Sequence, residues 1–199
     1  ARQPSLRHRQ GAQAVSQPQP GTIECADAVE WLRRWPDRSV DHVICDPPYE
    51  AEAHTLQRRV KRGSVAVVEP LDFTPVTAAD RLAWGAQLAR VARRWVLVFC
   101  QVEAAMLWRD AMAGLSYRRT MVWVKPDGQP QLSGDRPGMG YESIVAMHAS
   151  GASRWNGGGK CGIYFELRNH MQSRSQPHPT TKPLPLMERL VSDFTDPGE

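Results

Sequence analysis

Residues 43–49 read VICDPPY, in which an apolar run ends in an acid, two prolines and an aromatic ring. A carboxylate accepts hydrogen bonds, and a proline keeps its carbonyl acceptor although it has no N–H to donate. Because the proline ring fixes φ, a carbonyl between two prolines keeps its direction. Asp46, Pro47, Pro48 and Tyr49 therefore form a candidate site with two rigid acceptors beside a ring. The simpler alternative is that Asp46 caps a turn and that the prolines only stiffen a loop.

The flanking sequence predicts that a buried strand over 40–45 delivers Asp46 to this position. Asp27, with Glu30 in capping-box spacing, predicts a helix through Trp35. The other predicted elements are strands 22–25, 95–100, 117–125 and 142–148 and helices 78–94, 102–113 and 183–194, with Leu82, Leu88 and Val91 as core candidates. This alternation predicts an α/β sheet with helices on both faces and an antiparallel hairpin at one edge. Ligands of such sheets bind beyond the carboxyl ends of the strands, where Asp46 is expected.

Composition limits the alternatives. The chain has 199 residues, 41% of them hydrophobic, and a net charge of +4, which permits a nucleic-acid partner without requiring one. No apolar run approaches the roughly 20 residues of a membrane helix. Residues 1–20 are basic and rich in Gln and Pro, so we expect a flexible arm and no secretory signal. The four cysteines form no CxxC pair, which favours free thiols over a zinc site.

Several motifs together resemble the amino-group DNA methyltransferases. DPPY after an apolar strand is similar to motif IV of that family. TMVWVKPD is similar to its Trp-x-Lys-Pro strand, GYESIVAMH to the Glu-containing strand that follows, and HPTTKPLPLMERLVSDFTDPGE to motif X. The order matches the permuted β-type arrangement, in which the catalytic half precedes the cofactor half. The resemblance covers residues 21–199 and implies a single catalytic domain with a Rossmann-like methyltransferase sheet.

The resemblance implies transfer of a methyl group from S-adenosylmethionine to a base flipped out of duplex DNA. Asp46 and the Pro47 carbonyl would accept the two hydrogens of an exocyclic amino group, and Tyr49 would stack on the base. The target would be adenine N6, with cytosine N4 as the nearest alternative. It also implies a cytoplasmic protein of bacterial or phage origin and leaves open a homodimer and a partner restriction endonuclease. No step requires a metal.

The implied cofactor residues are Asp27, Asp46, Thr181, Lys182 and Pro183. Asp27 matches the acid that contacts the adenosine part of the cofactor, although a simple helix cap explains it equally well. Thr181, Lys182 and Pro183 match motif X, which lines the methionine side of the pocket. Their alternative explanation is a helix start that carries a proline.

The implied DNA contacts fall in two basic segments. Arg58, Arg59, Lys61 and Arg62 follow the catalytic motif closely, where phosphate contacts and a solvated helix face are equally good explanations. Residues 149–177 occupy the position of the target-recognition region in the family. They supply Arg154, Trp155, Lys160, Arg168, Asn169 and Arg174 as candidate base and phosphate contacts.

One family motif is missing from the sequence. The glycine-rich motif I should follow directly after Asp-Pro-Gly-Glu, where the sequence stops, and the GGGKCG stretch at 157–162 lacks the spacing of a P-loop. Truncation, a separate chain and degeneration into a DNA-binding module without activity are the three explanations, of which truncation is favoured. On this basis residues 1–199 alone are expected to bind S-adenosylmethionine weakly or not at all.

Overall fold

The computed structural model describes residues 21–50, 60–61, 64–65, 74–128, 134–168 and 181–199. The helices are α1 (Ala28–Arg33), α2 (Ala78–Val91), α3 (Ala105–Ala111) and α4 (Leu184–Phe194), and a 3-10 turn (Val102–Ala104) precedes α3. The strands are β1 (Val43–Cys45), β2 (Val60–Lys61), β3 (Ser64–Val65), β4 (Trp95–Cys100), β5 (Ser116–Val124), β6 (Tyr141–His148) and β7 (Ile163–Phe165). Within the described residues no helix is long and apolar enough to cross a membrane.

Five of the described strands form the main sheet in the order β1-β4-β6-β5-β7. β1 and β4 are parallel, β6 is antiparallel to both β4 and β5, and β7 is parallel to β5. The carboxyl ends of β1, β4, β5 and β7 therefore meet the amino end of β6 at one edge of the sheet. We call this the ligand edge, and it is the edge at which Asp46 follows β1.

Helices cover both faces of the sheet, as the alternating pattern predicted. On one face, helices α1 to α3 pack Leu32, Leu88 and Trp108 against Val96 and Val98 of β4. On the other face, α4 packs its apolar stripe against residues from β4 to β7. The members of this second core include Leu97, Phe99, Trp123, Ile144, Tyr164, Leu186, Leu190 and Phe194. The second core holds the start of α4 against the ligand edge.

The sequence-predicted elements need four corrections. Residues 22–25 form no strand and Ile23 is 99% exposed, so the apolar residue there has no partner in the described sheet. Leu82 is 60% exposed because the buried stripe of α2 runs through Arg81, Gly85 and Leu88, one position away. β1 is half-buried rather than buried. The predicted antiparallel pair exists as β5 and β6, but β7 pairs with the outer side of β5. The outermost strand on that side is therefore β7 and not a member of the pair.

Helices α2 and α3 approach closely at Gly85. A Cβ at this position would lie 2.5 Å from the Ala111 carbonyl oxygen, which is backbone and cannot move aside. We expect Gly85→Ala to lower the free energy of unfolding by about 1–3 kcal/mol, despite the better helix propensity of alanine. Urea denaturation measures this change in the free energy of unfolding. Gly114→Ala is the matched control, since the nearest atom would be 3.7 Å away, and an equal loss in both variants would contradict the packing argument.

Candidate active site

Four charged side chains meet at the ligand edge. Asp46 follows β1, Lys125 follows β5, and Glu142 is the second residue of β6, whose reversed direction brings its start to this edge. Lys182 comes from the segment that precedes α4. We call these residues the charge cluster; it contains two carboxylates and two ammonium groups, so its members can neutralise one another.

Lys182 is the centre of the charge cluster. Its ammonium lies 2.8 Å from Asp46 Oδ2 and 3.3 Å from Glu142 Oε2, and only 10% of its side chain is exposed. The ammonium also lies 5.0 Å from the centre of the Phe99 ring and 5.4 Å from that of the Tyr49 ring. Both distances are within the range of cation–π attraction, so charge and ring faces together fix this group.

Glu142 accepts hydrogen bonds from two donors, lies within ion-pair distance of a third group, and is 14% exposed at its side chain. Its Oε1 accepts from the Lys125 ammonium, and its Oε2 accepts from the Tyr49 hydroxyl at 2.7 Å as well as facing Lys182. Burial alone would raise the pKa of Glu142. The Lys182 and Lys125 charges, with the hydrogen bonds from Lys125 and Tyr49, outweigh burial and hold that pKa below its ordinary value. Glu142 is therefore a stable anion that orients Tyr49.

Tyr49 and Glu50 are held against α2 and the residue before its N-cap. The Tyr49 carbonyl accepts from the backbone N–H of Val76 at 3.1 Å. Glu50 Oε1 accepts from Arg81 at 2.8 Å, and the Arg81 side chain is only 9% exposed. Because the hydroxyl and the backbone carbonyl of Tyr49 are both hydrogen-bonded, its ring is held in place beside Asp46.

The environment of Tyr49 predicts that the stability of the folded protein depends on pH in the alkaline range. Burial, followed by the negative charges of Glu142 and Asp46, raises the pKa of Tyr49 well above its ordinary value. A group whose pKa is raised by folding stabilises the native state fully at pH values below its pKa in the unfolded chain, which is about 10 for tyrosine. This contribution is lost as pH rises through the pKa of the folded state. We expect the free energy of unfolding to fall above pH about 10. Tyr49→Phe should reduce that slope.

Urea denaturation over a pH series, with ultraviolet titration of the phenols, measures this effect. Tyr117→Phe is the matched control, because Tyr117 is 43% exposed at the opposite edge of the sheet. If both variants kept the wild-type slope above pH about 10, the shift assigned to Tyr49 would be wrong.

The structure brings together three of the predicted site residues, namely Asp46, Tyr49 and Lys182. Pro47 is buried and Pro48 half-buried between them. Thr181 is exposed next to Lys182, and Pro183 is buried as the residue that caps α4. Asp27 caps α1 by accepting from the Glu30 N–H at 3.0 Å, and its cofactor role stays a prediction.

The predicted DNA contacts are spread over the molecule. Arg168 follows β7 at the ligand edge, where its guanidinium binds the carbonyl and carboxylate of Asp127. Lys160 is exposed after a turn. Arg154 lies at the other end of β4, since its carbonyl accepts from Trp95 and its guanidinium is 3.3 Å from Asp196. The side chain of Lys61 and residues Arg58, Arg59, Arg62, Asn169 and Arg174 lie outside the described part, as do residues 1–20.

Sequence reasoning missed Glu142, Lys125 and Phe99 as site residues. Lys125 belongs to the TMVWVKPD motif and Glu142 to the GYESIVAMH motif. Both motifs resemble the family, but the sequence analysis assigns no role to these two side chains. The signal was the predicted antiparallel pair, because the end of one strand and the start of the next must meet at the same edge. Phe99 carried no such signal, since it reads as an ordinary core residue of β4.

The architecture is similar to that of several solved structures, each at low sequence identity. The M1.HpyAVI–SAM complex is 22% identical, with a TM-score of 0.56 over 87% of this chain and 77% of that chain. M1.HpyAVI alone is 21% identical, with a TM-score of 0.57 over 87% and 75%. The PvuII DNA methyltransferase (cytosine-N4-specific) is 13% identical, with a TM-score of 0.62 over 87% and 70%. No family model matches the chain. These likenesses establish the Rossmann-like fold.

Proposed function

We propose that this chain carries the catalytic site of an S-adenosylmethionine-dependent DNA methyltransferase that acts on the exocyclic N6 of an adenine flipped out of the duplex. One observation supports it above all. Four motifs that are far apart in sequence form one contact network. They are motif IV at Asp46 and Tyr49, the Lys-Pro strand at Lys125, the Glu strand at Glu142 and motif X at Lys182. Motifs that resembled the family one by one also converge on one site.

The chemistry explains the residue types at the ligand edge. The lone pair of an exocyclic amino group is delocalised into the ring, so the nitrogen is a poor nucleophile until it becomes tetrahedral. In our proposal Asp46 accepts one amino hydrogen and the Pro47 carbonyl accepts the other, which favours the tetrahedral geometry in the transition state. The proton becomes acidic only as the new N–C bond forms, so Asp46 need not be a strong base. Its side chain is 37% exposed and within reach of an entering base.

Tyr49 is proposed to receive the face of the flipped base. Base–aromatic stacking contributes about 1–3 kcal/mol in proteins that bind single strands. The hydrogen bond to Glu142 and the backbone bond to Val76 hold the ring in place before the base arrives. Little ordering of the ring then remains to be done on binding, which favours association.

The site is chemically compatible with a sulfonium cofactor. A sulfonium is a cation, and anionic or aromatic neighbours stabilise it. In the described site the Asp46 carboxylate and the Tyr49 and Phe99 rings surround the Lys182 ammonium, which shows that these groups accommodate a cation. When bound, S-adenosylmethionine supplies an electrophilic methyl group. We propose Thr181, Lys182 and Pro183, together with Asp27, as residues that hold it.

DNA contact is proposed to be electrostatic at the ligand edge. Arg168 lies on this edge. The basic segment 58–62, with Arg58, Arg59, Lys61 and Arg62, follows Asp46 to Tyr49 in sequence. Lys160 and Arg154 lie elsewhere on the surface, so in our proposal they contact phosphates at a distance from the flipped base.

Two alternatives to adenine methylation remain specific enough to test. Cytosine N4 presents the same amino chemistry, and one of the structural neighbours is a cytosine-N4-specific enzyme. A DNA-binding module without activity would keep the basic residues and lose the reaction. Incubation of the full-length gene product with labelled S-adenosylmethionine and duplex DNA distinguishes all three. We expect label in N6-methyladenine; label in N4-methylcytosine would favour the first alternative, and DNA binding without label the second.

A further inference from the structure

We infer that Glu142 is a second anchor for the Lys182 ammonium, which moves from Asp46 to Glu142 when an amino group of the base binds Asp46. The inference rests on the proposed function, because it concerns how Asp46 becomes available to that base. Glu142 touches neither base nor cofactor in this account and is a positioning residue.

The geometry permits the transfer over a short path. The ammonium is 2.8 Å from Asp46 Oδ2 and 3.3 Å from Glu142 Oε2. The longer distance is just beyond the usual range of roughly 2.7–3.2 Å for such a bond, so a small displacement completes the second contact. The Phe99 and Tyr49 rings lie 5.0 and 5.4 Å from the ammonium and keep it inside the site during that displacement.

The balance of charge explains why Glu142 is the receiving group. The Lys182 side chain is 10% exposed, so an ammonium that left Asp46 without another anion would be a buried, unpaired charge. Glu142 already binds Lys125 through Oε1, and its other oxygen faces Lys182. Transfer therefore keeps both ammonium groups paired with an anion and leaves the net charge unchanged, while the Asp46 carboxylate receives the amino hydrogen of the base.

The transfer has a functional consequence for Asp46. An ammonium bound to a carboxylate draws electron density from the oxygens, which weakens them as acceptors for a second donor. Moving the ammonium to Glu142 makes Asp46 a stronger acceptor for the amino hydrogen at the moment when the base is in place. The resting ion pair meanwhile keeps the carboxylate compensated when no base is present.

Nuclear magnetic resonance of the Lys182 ammonium and the Glu142 carboxylate tests the inference without any turnover. Asp46→Asn removes the competing anion, and we expect the variant to fold because that side chain is 37% exposed. In this variant we expect the Lys182 ammonium resonance to stay protected from exchange with water and to shift together with the Glu142 carboxylate carbon. Loss of the ammonium resonance with an unchanged Glu142 signal would overturn the inference. Asp37→Asn, at an exposed surface pair, is the matched control.

A second arm uses a single-stranded deoxyadenosine oligonucleotide with the wild-type protein. We expect saturation to move the Lys182 and Glu142 resonances in the direction seen in Asp46→Asn. Binding with both resonances unmoved would overturn the inference and leave the proposed function standing. Absence of binding would count against the proposed function, and the Asp46→Asn arm would still decide whether Glu142 can hold the ammonium.

Discussion

Asp46→Asn is expected to lower the rate of methyl transfer to DNA by about 10²–10³-fold or more. The variant keeps the size of the side chain but replaces an anionic acceptor with an amide whose NH₂ group repels the amino group of the base. Because the lost interaction forms fully only in the transition state, kcat should fall while the KM for DNA changes little. Steady-state kinetics with labelled cofactor measures both constants.

Asp37→Asn is the matched control for this substitution. Its carboxylate pairs with Arg90 on the surface and its side chain is 76% exposed, so its loss should leave transfer unchanged. A variant at Asp46 that retained more than about a tenth of the wild-type rate would contradict the role assigned to its carboxylate.

Glu142→Gln is expected to lower the free energy of unfolding by about 3–5 kcal/mol, the usual cost of removing one partner from a buried ion pair. The substitution leaves the Lys125 and Lys182 ammonium groups, 13% and 10% exposed, with Asp46 as the one anion of the charge cluster. It also removes the charged acceptor of the Tyr49 hydroxyl. Urea denaturation followed by circular dichroism measures the loss.

Lys125→Met combined with Glu142→Gln tests the electrostatic origin of that loss. The double variant restores neutrality between Asp46 and Lys182, so it should recover most of the stability lost in Glu142→Gln. A double variant as unstable as the sum of its single changes would show that shape, and not charge, determines the cost. A loss below about 0.5 kcal/mol in Glu142→Gln would contradict the whole description of the cluster.

Acid titration gives an independent check on Glu142. Its pKa is lowered in the folded protein, so its contribution to stability is present above the unfolded carboxyl value, about 4.3, and is lost as pH falls through the folded value. The stability difference between wild type and Glu142→Gln should therefore shrink at acid pH. A difference independent of pH would mean that the charge of Glu142 contributes nothing.

The candidate motif at Asp46 to Tyr49 could be recognised from sequence because its residue pattern is local. Asp46 to Tyr49 are consecutive, and the β-branched run before them identifies the strand that positions them. The long buried elements were equally clear, since β4 is apolar throughout and α4 carries a continuous apolar stripe. Lys182 was recognised through the motif around it, and the structure places its ammonium on Asp46.

The remainder depends on contacts that no local pattern carries. Glu142 and Lys125 become neighbours of Asp46 only after β6 has paired between β4 and β5. β7 has three residues in a polar, glycine-rich stretch, too few for a period to be visible. Leu82 looks like a core residue by composition, and only the packing of Gly85 on α3 shows which stripe of α2 faces inward.

The most direct test of the central claim is the nucleoside content of DNA from cells that make the full-length gene product. Expression in a bacterial host without DNA methyltransferases of its own requires no knowledge of the recognition sequence. Hydrolysed genomic DNA would be compared by mass spectrometry between wild type and Asp46→Asn at equal protein levels. We predict N6-methyladenine with the wild type and none above background with the variant. The absence of any methylated base with the wild type, or equal methylation with both, would contradict the account.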